Sequence, residues 1–147
     1  MGLLSLADQD QLRDAFAELP RPVRLLFFTQ TFGCDTCPQT RQILDELPLL
    51  SDKVRIDEVN LVLDQDTARQ YGIDRAPAIA VVGSDVSGEM YDSRIRFLGA
   101  PSGYAFVSLV QAILLVGGRE SLLTNESRRL IAAVDAPMTM NVFTTPT

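Results

Sequence analysis

Cys34 and Cys37 are the only cysteines in 147 residues, and they stand three apart. Random placement of two cysteines would give that spacing about 1% of the time, so the two read as a unit. The motif Cys34-Asp35-Thr36-Cys37 follows an apolar β-favouring run, Val23 to Thr29 (VRLLFFT). It opens a stretch with Ile43, Leu44 and Leu47 at helical spacing. With Cys34 at the N-cap of that helix, unpaired backbone N–H groups and the positive end of the helix dipole both favour thiolate over thiol. Cys37, one turn on, faces the same side and can close a short disulfide. Asp35 and Thr36, between the two sulfurs, modulate the pair. The Asp35 anion works against a thiolate on Cys34, which makes the couple more reducing. Two other readings of these residues remain open. Inert thiols pack like small hydrophobes, and a second chain could complete a metal site with two thiolates from each.

Composition narrows the field further. The chain has no His, which removes Ser-His-Asp and Cys-His nucleophilic catalysis and any imidazole zinc site. Two Cys are too few for a four-thiolate zinc site or a cluster within one chain. Thirteen basic against 19 acidic side chains, net charge −6, argue against a phosphate-binding surface, so no nucleic-acid partner is expected. The most apolar stretch, Tyr104 to Val116, is 13 residues long and interrupted by Ser108 and Gln111, too short to cross a bilayer. The start lacks the basic end and long apolar run of a secretory signal. Leu6 stands where a myristoylation motif at Gly2 needs Ser or Thr. A cytoplasmic protein without membrane contact is the expectation, and the length suits one domain.

The elements that must position the dithiol follow from periodicity and punctuation. Ser5-Leu6-Ala7-Asp8 looks like a capping box, opening a helix with Leu12, Phe16 and Leu19 as its buried stripe. Pro20-Arg21-Pro22 stops it, and Val23–Thr29 has the continuous apolar character of a central strand. Val54, Ile56, Val59 and Leu61 mark a second strand, and Asp64 to Tyr71 a short polar helix stopped by Gly72. Ile79–Val82 and Arg94–Leu98 read as strands of a hairpin whose polar connection holds Gly83, Asp85 and Gly88. Gly99 to Gly103 turns the chain into a helix holding Phe106, Val110 and Ile113. Its other faces carry Leu109, Leu114 and Leu115, which suggests burial on more than one side. A further helix runs to Val134, and Met138–Thr144 (MTMNVFT) reads as one more strand. The crossover unit makes the first two strands parallel, and the short hairpin makes the last two antiparallel.

A CxxC after the first strand and a Pro at the entry of a later one, in Asp74-Arg75-Ala76-Pro77-Ala78, resemble the thioredoxin and glutaredoxin fold. The closer resemblance is to the protein disulfide oxidoreductases, glutaredoxin-like proteins built from two thioredoxin-fold units. It is carried by Tyr71-Gly72-Ile73-Asp74-Arg75-Ala76-Pro77-Ala78 and by Arg96-Phe97-Leu98-Gly99-Ala100-Pro101-Ser102-Gly103-Tyr104-Ala105-Phe106. The resemblance implies an α/β thioredoxin fold: a mixed four-stranded sheet flanked by helices, with an extra N-terminal helix and a C-terminal helix plus strand. It implies residues 1–135 as one unit and 136–147 as the first strand of a second, with Phe143-Thr144 paralleling Phe28-Thr29. The chain would then be a truncated or divided form of a two-unit protein, or a natural half.

Carried over residue by residue, the resemblance makes Cys34 the attacking thiolate and Cys37 the resolving thiol. Pro77 would be cis and lie against the pair, and the backbone of Ala76 would pair with an extended substrate segment. The activity implied is thiol–disulfide exchange on protein disulfides without a cofactor or metal, with electrons from a flavoprotein reductase. There are departures. Thioredoxins carry a buried acid six residues before the first Cys; here that residue is Phe28. Their Trp beside the pair is missing as well, since the chain has none. Asp57 and Glu58 on the second strand become the candidates for proton exchange with Cys37. An alternative is the relay domain of an alkyl hydroperoxide reductase flavoprotein, disfavoured because its Cys pair lies in the second unit. Another is a non-enzymatic metal-binding or dimerisation module, and the apolar late helix and last strand favour self-association as a homodimer.

Overall fold

The computed structural model describes residues 3–145, so Met1, Gly2, Pro146 and Thr147 lie outside it, the last two being the end of the 136–147 segment expected to open a second unit. Helix α1, Leu6–Ala17, starts at the expected capping box: Ser5 Oγ accepts from the Asp8 N–H, and the Asp8 carboxylate accepts from the Ser5 N–H. Phe16 and Leu19 are buried at its end. Strand β1, Val23–Thr29, is buried everywhere but Arg24, as its unbroken apolar run requires. Helix α2 is Cys37–Asp45, β2 Val54–Asn60 and the short α3 Gln65–Gln70; then come β3 Ala78–Ser84, β4 Met90–Leu98, α4 Tyr104–Val116 and α5 Asn125–Ala132.

The four strands form one sheet in the order β2-β1-β3-β4. β1 pairs parallel with β2, and antiparallel with β3; β3 pairs antiparallel with β4. One face carries Leu25, Phe27, Ile79 and Val81 against Phe16, Leu44, Leu47, Leu109 and Ile113. The other carries Leu26, Phe28, Val59, Ala78, Ala80 and Val82 against Ala68 and Ile73. Alternate residues of one strand therefore face different cores, which is why no polar alternation shows in its sequence.

Three expectations are corrected. β4 begins at Met90 rather than near Arg94, and it crosses a register irregularity between the partners of Ala80 and Val82. Helix α4 buries Leu109 and Leu114 along with Val110 and Ile113, as expected, but Leu115 is exposed, as is Val107, so the burial stops short of the helix's full circumference. Met138–Thr144 forms no strand. Its apolar residues are open to solvent, Phe143 at 92% exposure, because strand character needs a neighbouring edge to hydrogen-bond and none lies beside this segment. The C-terminal addition is therefore helix α5 and an unpaired tail.

Candidate active site

β1 ends at Thr29, and Gln30 to Gly33 carry the chain over the sheet's end to Cys34. Gly33 has φ +75°, a conformation a side chain at this turn would oppose. The Cys37 N–H donates to the Cys34 carbonyl at 3.4 Å, a turn that delivers the chain into α2. The helix begins two residues later than expected: Thr36 is its N-cap, Cys37 its first residue, and Cys34 lies one turn ahead of it. Thr36 provides no side-chain cap, and Pro38 in the first turn has no N–H to satisfy. The helix dipole at this end therefore still acts on the sulfurs. The Thr36 carbonyl accepts from the Thr40 N–H at 3.0 Å and from Thr40 Oγ1 at 2.8 Å, which anchors the turn to a fully buried side chain.

Cys34 and Cys37 are joined by a disulfide, with their Cα atoms 5.5 Å apart. Cys34 is half-buried, whereas Cys37 is only 3% exposed. Cys34 is therefore the more open residue of the pair.

A cleft of about 310 Å³ opens beside the disulfide, lined by Thr29, Cys34, Cys37, Arg41, Glu58 and Asn60 among others. Register separates the two carboxylates proposed for proton exchange. Glu58 pairs with Phe27 of β1 and faces the same side as α2, where it forms an ion pair with Arg41. Asp57 pairs with Leu26 on the opposite face and is bound to Arg24 at 3.0 Å. Arg41 is singled out by no sequence motif, though a cation four residues after Cys37 belongs on the cysteine side of α2.

The peptide bond between Ala76 and Pro77 is cis, as expected. Antiparallel pairing of Ala78 with Phe28 sets the entry of β3 beside the exit of β1, so Ala76 and Pro77 share the sheet end that carries Cys34. Pro77 is buried, and its carbonyl accepts from the Gly99 N–H at 2.9 Å. Among the described residues, neither the N–H nor the C=O of Ala76 has a hydrogen-bond partner. Pro77 does not line the cleft beside the disulfide. Beside it, the Arg75 guanidinium holds the exposed Asp74 carboxyl below its ordinary range, by a hydrogen bond first and by charge second. Among the described residues no three His, Cys, Asp or Glu side chains cluster as a metal site, and no helix is long and apolar enough to cross a membrane.

No family model matches the chain. It is 31% identical to a "Probable Thioredoxin" of Methanothermobacter thermautotrophicus over 70 residues, which are 47% of this chain and 71% of that protein. A domain of the alkylhydroperoxide reductase AhpF of Enterococcus faecalis superposes with a TM-score of 0.77 at 26% identity, covering 90% of this chain and 61% of that one. A protein disulfide oxidoreductase of Aeropyrum pernix superposes with a TM-score of 0.70 at 22% identity, covering 88% of this chain and 54% of that one, and shows the shared fold. The chain thus spans less than two thirds of the length of either of these two structures. A dithiol held ahead of a helix, on a sheet of this order and with this kinship, has one consistent meaning: the chain belongs to the thioredoxin family and is a thiol–disulfide oxidoreductase.

Proposed function

We propose that Cys34 is the attacking thiolate and Cys37 the resolving thiol. The observation that carries this assignment is the difference in exposure between the two cysteines. In the reduced protein the Cys34 thiolate attacks one sulfur of a substrate disulfide. That S–S bond breaks, the other substrate sulfur leaves as thiolate, and a mixed disulfide remains on Cys34. Cys37 then gives up its proton and attacks Cys34, releasing the second substrate thiolate and leaving the protein oxidised by two electrons. Glu58 is the carboxylate that shares the cleft with Cys37 and receives this proton; Asp35 and Thr36 modulate the pair from the turn between the sulfurs. The unpaired backbone of Ala76, next to Pro77, hydrogen-bonds an extended substrate segment, and Pro77 adds no N–H or charge there.

Insulin reduction with dithiothreitol tests the assignment. Cys34→Ser should be inactive, and Cys37→Ser should accumulate the mixed disulfide. A Cys34→Ser variant as fast as the parent would overturn it.

We also read the chain as cytoplasmic and its electron donor as a flavoprotein reductase. The likeness to the alkylhydroperoxide reductase structure favours a second reading, an electron relay toward a peroxide-reducing partner. The two differ in whether the reduced chain turns over insulin or only the partner's disulfide. Residues 1–135 then form one unit and 136–147 open another, a division supported by the unpaired Met138, Met140, Val142 and Phe143. Light scattering distinguishes a monomer from the homodimer such a tail would favour.

A further inference from the structure

The irregularity in β4 has a specific geometric effect. Ala80 faces Arg96 and Val82 faces Asp92, so two steps on β3 are matched by four on β4. Four residues of a regular strand span about 13 Å; here the ends of that stretch face partners only about 7 Å apart. The two extra residues are folded into a loop held by its own polar groups. Ser93 Oγ donates to the Val81 carbonyl at 2.5 Å and accepts from the Ile95 N–H at 3.2 Å, while Arg94 takes φ +67°. Arg96 and Asp92 are thereby drawn into a two-pronged ion pair, Nη1–Oδ1 at 2.8 Å and Nη2–Oδ2 at 2.6 Å.

The same guanidinium has further contacts. Its Nε donates to the Tyr71 carbonyl at 3.1 Å, and its carbon lies 5.5 Å from the centre of the Tyr71 ring. That ring packs against Phe28 with centroids 6.2 Å apart. Tyr71 begins the segment that ends in Ala76-Pro77. At the far end the Gly99 N–H holds the Pro77 carbonyl, and in between the Ile73 N–H donates to the Ala68 carbonyl at 2.8 Å. Arg96 of β4 and Gly99 just beyond it thus hold both ends of the stretch that contains Ala76, whose backbone, like that of Asp74 and Arg75, has no hydrogen-bond partner among the described residues.

We propose that Arg96, braced by Asp92 across the β4 bulge, is a positioning residue that sets the Tyr71–Pro77 segment for substrate and so governs affinity for the disulfide substrate. The proposal rests on the reading of Ala76 as the substrate-pairing residue. Arg96 touches neither sulfur, so its removal acts on KM while leaving kcat and the reactivity of Cys34 in place.

The test uses a disulfide-bonded peptide and the same peptide N-methylated at the residue flanking its cysteine, with the parent protein, Arg96→Lys and Asp92→Asn. Arg96→Lys keeps the charge and stem but loses the fork and the Nε donor. It should raise KM for the unmodified peptide roughly three- to tenfold, the value of one misplaced hydrogen bond, with kcat and the pH profile of Cys34 alkylation unchanged. Asp92→Asn should move KM in the same direction by less, which keeps the test alive if the lysine variant folds poorly. N-methylation should raise KM for the parent and cost less in Arg96→Lys. If N-methylation leaves the parent's KM unchanged, the Ala76 reading falls and takes the proposal with it. If N-methylation raises KM but the folded variants keep the parent's value, Arg96 has no positioning role and the Ala76 reading stands.

Discussion

Phe28 stands where thioredoxins carry a buried acid, and the site around it has been built for a ring. It is fully buried and faces Val59 on one strand and Ala78 on the other, in a cluster completed by Leu26, Ala68, Ile73, Ala80 and Val82. Phe28→Asp puts a carboxyl into that cluster. Loss of the ring costs about 3–5 kcal/mol as a cavity, and a buried polar group without a partner adds about 1–3 kcal/mol. Against a typical domain stability of about 5–15 kcal/mol, the sum removes a large part of the margin at neutral pH, and all of it at the low end of that range. The pH dependence has a definite sign. Burial raises the carboxyl's pKa in the folded state, so the folded protein binds the proton more tightly than the unfolded one. The variant is then least impaired below the unfolded value of about 3.9 and loses stability as pH rises from there to the folded value. Urea unfolding of the oxidised protein at pH 4.5 and pH 8 reads this directly, with Phe28→Leu as a control for volume. A Phe28→Asp variant within ~1 kcal/mol of the parent at both pH values would refute the reasoning, because the position would then be one that accommodates an acid.

Glu58→Gln should slow resolution of the mixed disulfide by roughly tenfold or more at pH 7, the low end of general acid–base effects or below, whereas Asp57→Asn leaves it unchanged; stopped-flow decay of the mixed disulfide compares them. The same Glu58 change should cost no more than about 1 kcal/mol of stability, since both members of its ion pair are nearly half exposed. Gly117→Ala sets two effects against each other. Its φ of −73° suits alanine, worth about 0.4–1 kcal/mol, but the new Cβ would lie 2.4 Å from Leu19 Cδ2 and 3.2 Å from Val23 Cγ2. Overpacking of about 1–3 kcal/mol should win, lowering the urea midpoint. Arg96, mainly by its hydrogen bonds, holds Asp92 below its ordinary 3.8. That stabilisation is present above the unfolded value and lost as pH falls through the folded one, so the gap between parent and Asp92→Asn should narrow below about pH 4 in acid unfolding.

What the sequence discloses here is local. Ser5 and Asp8 lie within one turn, so their reciprocal cap is readable without the rest of the chain, and the same holds for Cys34 and Cys37 on either side of a tight turn. The run Val23–Thr29 announces a strand with two covered faces by its lack of polar alternation. Choosing between Asp57 and Glu58 needs the β1–β2 register, because a shift by one residue exchanges the faces. The Asp92–Arg96 clamp is hidden for a related reason. Its four-residue separation has no meaning on a regular strand and acquires one only through a bulge whose φ at Arg94 no propensity announces. Met138–Thr144 shows the converse, an apolar run of strand-forming residues that remains solvent-exposed coil because strand formation also requires an adjacent edge.

β1, like β3, has hydrogen-bonded neighbours along both sides, an interior position in the sheet. Amide protons between Leu25 and Phe28 should accordingly be among the last in the molecule to exchange with solvent deuterium, while those of Thr31 to Asp35 exchange early. The redox centre is thus a labile tip mounted on a persistent strut, and electrons can enter and leave it while the strand below stays closed.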